Sequence, residues 1–320
     1  MTTSFYSNGK LLITGEYLVL DGALSLAVPT VYGQSLAVNP IPSRQLTWKS
    51  LDEKGKVWFQ ETYDLQANGT PFLSPLPTTR SLENDTDSSL KNNETVANTL
   101  QSILLEAKKL NPSFLEDENG YEITTSLNFP REWGLGTSST LINNIAQWAK
   151  VDAFTLLWNS FSGSGYDIAC AQHNSPITYQ LKNSKPIAIT VPFDPSFKNE
   201  LYFVHLNKKQ NSRDGIAAYK SKEIDLFTVI PKINSISKRI QTCTKRTQFE
   251  KLIHKHEAII SEILDIPPIQ EQLFPDFKGA IKSLGAWGGD FILAAGNKNT
   301  AQYFRDKGYT TVIPYPKMVR

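Results

Sequence analysis

The segment REWGLGTSSTLINN, residues 131–144, decides how the rest of the chain is read. Positions 134–139 hold two glycines, a leucine, a threonine and two serines; from Ser139 onward Leu141, Ile142, Ile145, Ala146 and Ala149 recur at helical spacing. A bare, hydroxyl-rich loop therefore runs straight into an amphipathic helix. Such a junction turns unpaired backbone N–H groups toward one point, where the positive end of the helix dipole adds its attraction for an anion. Phosphate is the natural occupant. Gly134 and Gly136 let the backbone approach a ligand closely, while Thr137, Ser138 and Ser139 offer hydroxyls to it or to Mg²⁺. The same residues also suit an ordinary N-cap, in which a Ser or Thr oxygen satisfies the first helical donors. No Gly-Lys-Ser/Thr follows, so this is not a Walker A loop.

Working outward, GSGYDIACA, residues 163–171, repeats the pattern of small residues before a helix start and places Asp167 in the first turn. An acid there caps the helix, or else orients a substrate hydroxyl and accepts its proton. GKLLITGEYLVLDGALSLAVP, residues 9–29, offers Lys10, Glu16 and Asp21 around a strand and turn. Lys10 is either a solvated lysine at a strand start or the partner that keeps Asp167 ionised. SLGAWGGDFILAAG, residues 283–296, sets Gly285, Gly288 and Gly289 before a strand. That suits either a hairpin turn or a backbone approached closely by another segment or a phosphate.

The 320 residues are 40% hydrophobic, with 16 Phe, enough for two cores, and Lys+Arg 33 against Asp+Glu 31 leaves no global field for nucleic acid or an anionic membrane. Cys170 and Cys243 have no metal-ligand spacing and read as packing thiols. The N-terminal apolar stretch has no basic region before it and is interrupted by Gly15 and Glu16, so the expectation is neither a secretory signal nor a membrane span, and a cytoplasmic location.

The first third alternates KLLIT, YLVL, LSLAVP and KVWFQETYDL with turn residues, which predicts an antiparallel, hairpin-rich sheet. Residues 68–93 read as a loop, 94–109 and about 153–161 as helices, and YEITTSL as a strand. Past residue 196 follow strand ELYFVHL, helical stretches at 213–240 and 246–264, strand DFILAAG, a helix at 299–307 and strand TTVIPY. The class is α+β.

Four segments occur together along the chain, in the order GKLLITGEYLVLDGA, PREWGLGTSST, SGYDIA and GAWGGDFILA. This set resembles the motifs of the GHMP small-molecule kinases, nearest to the mevalonate and phosphomevalonate kinase branch, and SGYDIA is similar to the signature of the GYDIA-type kinases. The resemblance implies a two-domain GHMP kinase fold, with an ATP-binding domain like ribosomal protein S5 domain 2 over 1–195 and a ferredoxin-like, substrate-side domain over 196–320. It implies ATP and Mg²⁺ as cofactors, with Gly134, Leu135, Gly136, Thr137, Ser138 and Ser139 around the phosphates and Ser138 on the metal. Asp167 matches the catalytic aspartate and Lys10 the lysine paired with it. Glu16, Tyr17, Ser212 and Gly288 fall on the substrate side.

Four positions depart from the pattern. Tyr17 stands where mevalonate kinases carry His, which looks more like phosphomevalonate kinases. Leu156 replaces a second Mg²⁺-binding Glu, and Trp287 and Asp290 interrupt the glycine run of the last motif, where a tryptophan would narrow whatever pocket it borders. Lys208, Lys209, Ser212 and Arg213 lie where relatives contact the acceptor, or form a solvated basic turn. His173, His205, His254 and His256 receive no role. The expected partner is a small molecule, with no nucleic acid or membrane, and the chain a monomer or homodimer. The leading expectation is an ATP-dependent kinase for mevalonate, phosphomevalonate or a similar metabolite; the alternatives are a diphosphomevalonate decarboxylase and a non-catalytic nucleotide-binding protein.

Overall fold

The computed structural model describes residues 1–65, 74–75, 87–208 and 212–320, and of 74–75, 87–92 and 212–213 only the backbone. The chain divides into two compact units, one of Met1–Ser7, Gly33–Pro130 and Thr137–Gly163, the other of Asn8–Tyr32, Arg131–Gly136 and Ser164–Arg320. Strands β1 (Thr3–Thr14) and β2 (Ser25–Ile41) each contribute to both.

In the first unit, β3 (Gln45–Leu51), β4 (Val57–Asp64), β5 (Ser74–Pro75) and β6 (Gly120–Leu127) join β2 in the order β5-β4-β3-β6-β2. The β3–β6 pair is parallel and the others antiparallel. Period-2 burial fixes the inward face: Leu46 and Trp48 of β3, Phe59 and Tyr63 of β4, and Leu36 and Val38 of β2 are buried. Helices α1 (Asp87–Leu110), α2 (Thr137–Ala149) and α3 (Ala153–Ser160) pack on one another. Leu100, Ile103, Leu104 and Ala107 of α1, and Ile142, Ile145, Ala146 and Ala149 of α2, are buried at the 3.6-residue period. Helix α1 starts at Asp87, so residues 87–93 are helical rather than part of the expected loop; 74–75 pair with β4, and 68–73 and 76–86 lie outside the described residues.

In the second unit, α4 (Tyr166–Gln172) precedes the hairpin β7 (Ile177–Lys182) and β8 (Lys185–Thr190), and β7 pairs with residues 25–27 of β2. There follow β9 (Leu201–His205), α5 (Ser212–Lys220), α6 (Leu226–Gln241), α7 (Arg246–Leu264), α8 (Ile269–Leu273), β10 (Ala280–Ser283), β11 (Phe291–Ala295), α9 (Thr300–Asp306), β12 (Val312–Pro314) and α10 (Tyr315–Met318). An antiparallel sheet runs β10-β11-β9-β12. All five residues of β11 are buried, so this strand is covered on both faces. Val204, Phe274, Ile281, Ile292 and Phe304 form one core cluster of this unit.

Two expectations need correction here. YLVL is not a strand: Leu18–Asp21 is a 3₁₀ turn, because Gly15, Tyr17 and Gly22 all have left-handed φ (92°, 62° and 83°) and the adjacent Leu18 and Val19 are both buried. The helical stretch 213–240 is two helices, since Asp225 starts α6 by accepting the N–H of Thr228 at 3.2 Å.

Candidate active site

The loop is built from β1 and the sheet of the second unit. Arg131–Trp133 forms a 3₁₀ turn, and the Trp133 ring packs edge-on against Tyr32 and Phe291, centroids 5.2 and 5.5 Å away. Gly134 and Gly136 have φ of 65° and 95°, a region costly for any residue with a Cβ. Leu135 is fully buried, and its carbonyl accepts the Lys10 N–H at 3.0 Å. The Lys10 ammonium donates to the Gly134 carbonyl at 2.7 Å. The bond the structure gives Lys10 is thus to the loop backbone, whereas the sequence pointed to Asp167. A half-buried lysine in mid-strand also replaces the solvated strand-start reading.

In the first unit, α2 begins at Thr137, with Ser138 exposed and Ser139 buried. The helix is held by a buried polar chain. Thr140 Oγ1 donates to Gln34 Oε1 (2.8 Å), Asn143 Nδ2 to Ser7 Oγ (2.8 Å), Ser7 Oγ to Asn144 Oδ1 (2.7 Å) and Asn144 Nδ2 to the Gln34 carbonyl (2.9 Å). Of the hydroxyls at 138–140, Ser138 is therefore the one presented outward. Leu156 is fully buried in α3 and offers no metal ligand.

Asp167 occupies the first turn of α4, whose N-cap, Gly165 at φ 88°, brings no side chain. Two neighbouring groups register its charge. The Tyr166 hydroxyl is pushed well above its ordinary range by burial, then by Asp167, Cys170, Glu16 and Asp290. The Cys170 thiol is pushed up by burial and by Asp167, and drawn back by Lys10. Lys10, Glu16, Asp167 and Asp290 consequently act on one small region around Tyr166 and Cys170.

Glu16 is 1% exposed and sits in a buried charge network. Lys282 Nζ donates to Glu16 Oε1 at 2.6 Å, to Glu257 Oε1 at 3.1 Å and to its neighbour's Ser283 carbonyl at 2.6 Å. Glu257 Oε2 accepts both the N–H and the hydroxyl of Ser283. His256 Nε2 accepts the Gly15 N–H at 2.9 Å and lies 3.3 Å from Glu16 Oε2. A neutral ring accepting at Nε2 carries its proton on Nδ1. Burial outweighs Lys282 and raises Glu16 to about 7, and burial with Lys282 holds His256 well below its usual range. Lys282, Glu257 and His256 escaped the sequence reading. The one signal for them is the lysine of AIKS in a wholly buried strand, which demands a counter-charge but does not say where it lies.

Tyr17, at φ 62°, accepts the Trp287 N–H at its hydroxyl (3.2 Å) and stacks on Tyr219, centroids 5.5 Å apart. Trp287 is 4% exposed and clusters with Leu18, Ala23, Ile233, Ile260 and Leu264, so it is an anchor of the core. A Cβ at Gly288 would meet nothing within 4 Å. Ser212 opens α5, but its side chain, that of Arg213, and Lys209 lie outside the described residues. In the second unit, the left-handed glycines and the oxygen donors of Asp167 and Asp290 suit a phosphate and Mg²⁺, an ion held by one or two carboxylates together with substrate phosphates. Among the described residues no cluster of three or more His, Cys, Asp or Glu forms a complete cage, and no helix is long and apolar enough to cross a membrane.

This architecture is the fold of the GHMP kinases. Among solved structures, the chain is similar to the mevalonate kinase of Methanococcus jannaschii (13% identity, TM-score 0.66, 98% of this chain and 97% of that one). It is also similar to the phosphomevalonate kinase of Streptococcus pneumoniae in complex with phosphomevalonate and AMPPNP (14%, 0.65, 97% and 99%). A third similar structure is the galactokinase of Lactococcus lactis complexed with galactose (14%, 0.64, 100% and 93%). No protein-family profile matches the chain, and no curated protein matches it in sequence.

Proposed function

We propose that the protein is an ATP-dependent kinase of a small-molecule alcohol or phosphate. The observation that carries this reading is the left-handed Gly134–Gly136 loop, fastened through Lys10 in the unit that also holds Asp167. The loop amides of Gly134–Gly136 bind the phosphate chain, and an oxygen of Asp167 would hold Mg²⁺, which would supply charge neutralisation when bound. Lys10 keeps the Gly134 carbonyl turned away from the phosphates and adds positive charge beside them. Asp167 orients the acceptor oxygen, which bonds to the γ-phosphorus as the bond to the β-γ bridging oxygen breaks and ADP departs. The acceptor's proton passes to Asp167 or, through it, to solvent.

Mevalonate and phosphomevalonate are the acceptors to test first, because both the motifs and the similar structures point to them. A coupled ADP-release assay over these two, homoserine and sugars identifies the acceptor. Asp167→Asn is expected to lower turnover by about 10³-fold with ATP affinity preserved, the loss typical of removing a positioned acid-base group together with its orienting role. Undiminished turnover in that variant would remove Asp167 from the reaction. The buried Leu156 favours one second reading, a nucleotide-binding protein without turnover; ATP binding with no ADP formed on any acceptor would establish it. Release of CO₂ would instead identify a decarboxylase. A cytoplasmic setting belongs to the proposal and agrees with two free, buried cysteines.

A further inference from the structure

His205 belongs to none of the sequence motifs, yet the structure sets it beside the glycine loop of its own unit. It is 5% exposed and stands directly opposite Phe291 in the β9–β11 register, so the two rings share a face of the sheet, centroids 5.1 Å apart. Trp133, the residue before Gly134, meets both rings: it packs edge-on against Phe291 at 5.5 Å and tilted against His205 at 6.4 Å. Asp290, next to Phe291, lies against Gly134 itself, where a Cβ would come within 2.5 Å of its carboxyl group. One pair of strands thus carries the entry to the loop.

Hydrogen bonds give that packing a direction. Asn207, at a left-handed φ of 55°, turns its N–H back onto His205 Nδ1 at 3.3 Å. A ring nitrogen that accepts carries no proton, so the neutral imidazole bears its proton on Nε2. Nε2 lies 3.4 Å from the Glu132 carbonyl and in this tautomer donates to it. Lys10 holds the next two carbonyls, that of Gly134 through its ammonium and that of Leu135 through its backbone N–H. Three carbonyls of the run 132–135 are therefore fixed, and a loop ordered before its ligand arrives loses little freedom on binding. We propose that His205 is a positioning residue for the nucleotide: by holding the Glu132 carbonyl it sets the peptide that enters the Gly134–Gly136 loop, and with it the aim of the amides that bind the phosphates. The inference rests on the kinase reading of this loop and adds to it a residue outside the loop that orders it.

Isothermal titration calorimetry of the full chain with Mg²⁺·ATP separates this role from plain packing. His205→Phe keeps an aromatic ring and loses the donor, and is expected to bind Mg²⁺·ATP about three- to tenfold more weakly than the wild type, the worth of one neutral hydrogen bond. His205→Gln gives up the ring but keeps an N–H at the distal position, and is expected to recover most of that affinity. If His205→Phe fails to fold by circular dichroism, His205→Asn takes its place, since it accepts the Asn207 N–H but is too short to reach Glu132. Wild-type affinity in the variant without the donor, or a glutamine variant that binds no better than it, overturns the inference and leaves the kinase reading intact. Failure of the wild-type protein to bind Mg²⁺·ATP overturns both.

Discussion

Glu16 shows how far one side chain's chemistry depends on its surroundings. Its carboxyl, ordinarily titrating near 4.5, is raised to about 7 chiefly by burial. Between those two pH values the unfolded chain has lost the proton and the folded chain retains it, so folding takes up a proton and stability declines as pH rises from 4.5 through 7. His256 acts oppositely: it stays neutral in the fold, so its contribution is complete above its ordinary 6.5 and is lost as pH falls below that. The two slopes partly cancel in the wild type and are separated by comparison with Glu16→Gln. Denaturant unfolding of both proteins at several pH values should show the wild type losing stability relative to the variant, on the order of 3 kcal/mol at most, as pH rises from 4.5 to 7. A difference independent of pH would mean that Glu16 is ionised throughout. A sequence presents Glu16 as an acid in a conspicuous motif; only the fold shows Lys282 and Glu257 closing over it from more than two hundred positions away.

At the level of single elements, α2 is where local pattern and structure agree best, because its apolar positions repeat every three or four residues and its start is marked by small polar ones. The pattern does not show how the helix is fastened. Asn144, fully buried, accepts from Ser7 and donates to the Gln34 carbonyl. Asn144→Ala strands both partners without water, and urea unfolding should report a loss of about 2–4 kcal/mol. A loss under 1 kcal/mol would show that water replaces the amide there. Where periodicity misled, a local backbone requirement had overridden it. YLVL has strand composition but is bounded by left-handed residues, and the run after Ser212 has helical composition but contains a fresh N-cap at Asp225. Strand β3 went unrecognised because its Leu46 and Trp48 alternate over too few residues to stand out between turns.

For the molecule as a whole, the α+β class and the glycine loop running into α2 could be read from short segments, since each carries its own geometry. The pairing of strands, the buried charge network and the position of Asp290 could not, because they depend on contacts between distant parts of the chain. A ligand that binds only the folded form stabilises it by about 2.7 kcal/mol at a hundred times its dissociation constant. Saturating Mg²⁺·ATP should therefore raise the melting temperature by several degrees, about 5 °C or somewhat more, while Mg²⁺ alone should not. No shift with nucleotide would argue against the loop as a phosphate site. Cys170 lies one turn beyond Asp167 on α4, wholly enclosed and with its thiol held in the protonated form by burial and by that acid. An alkylating reagent can reach it only when the helix that carries Asp167 comes away, so the rate of its modification is a built-in clock for spontaneous opening, one that a bound nucleotide ought to slow.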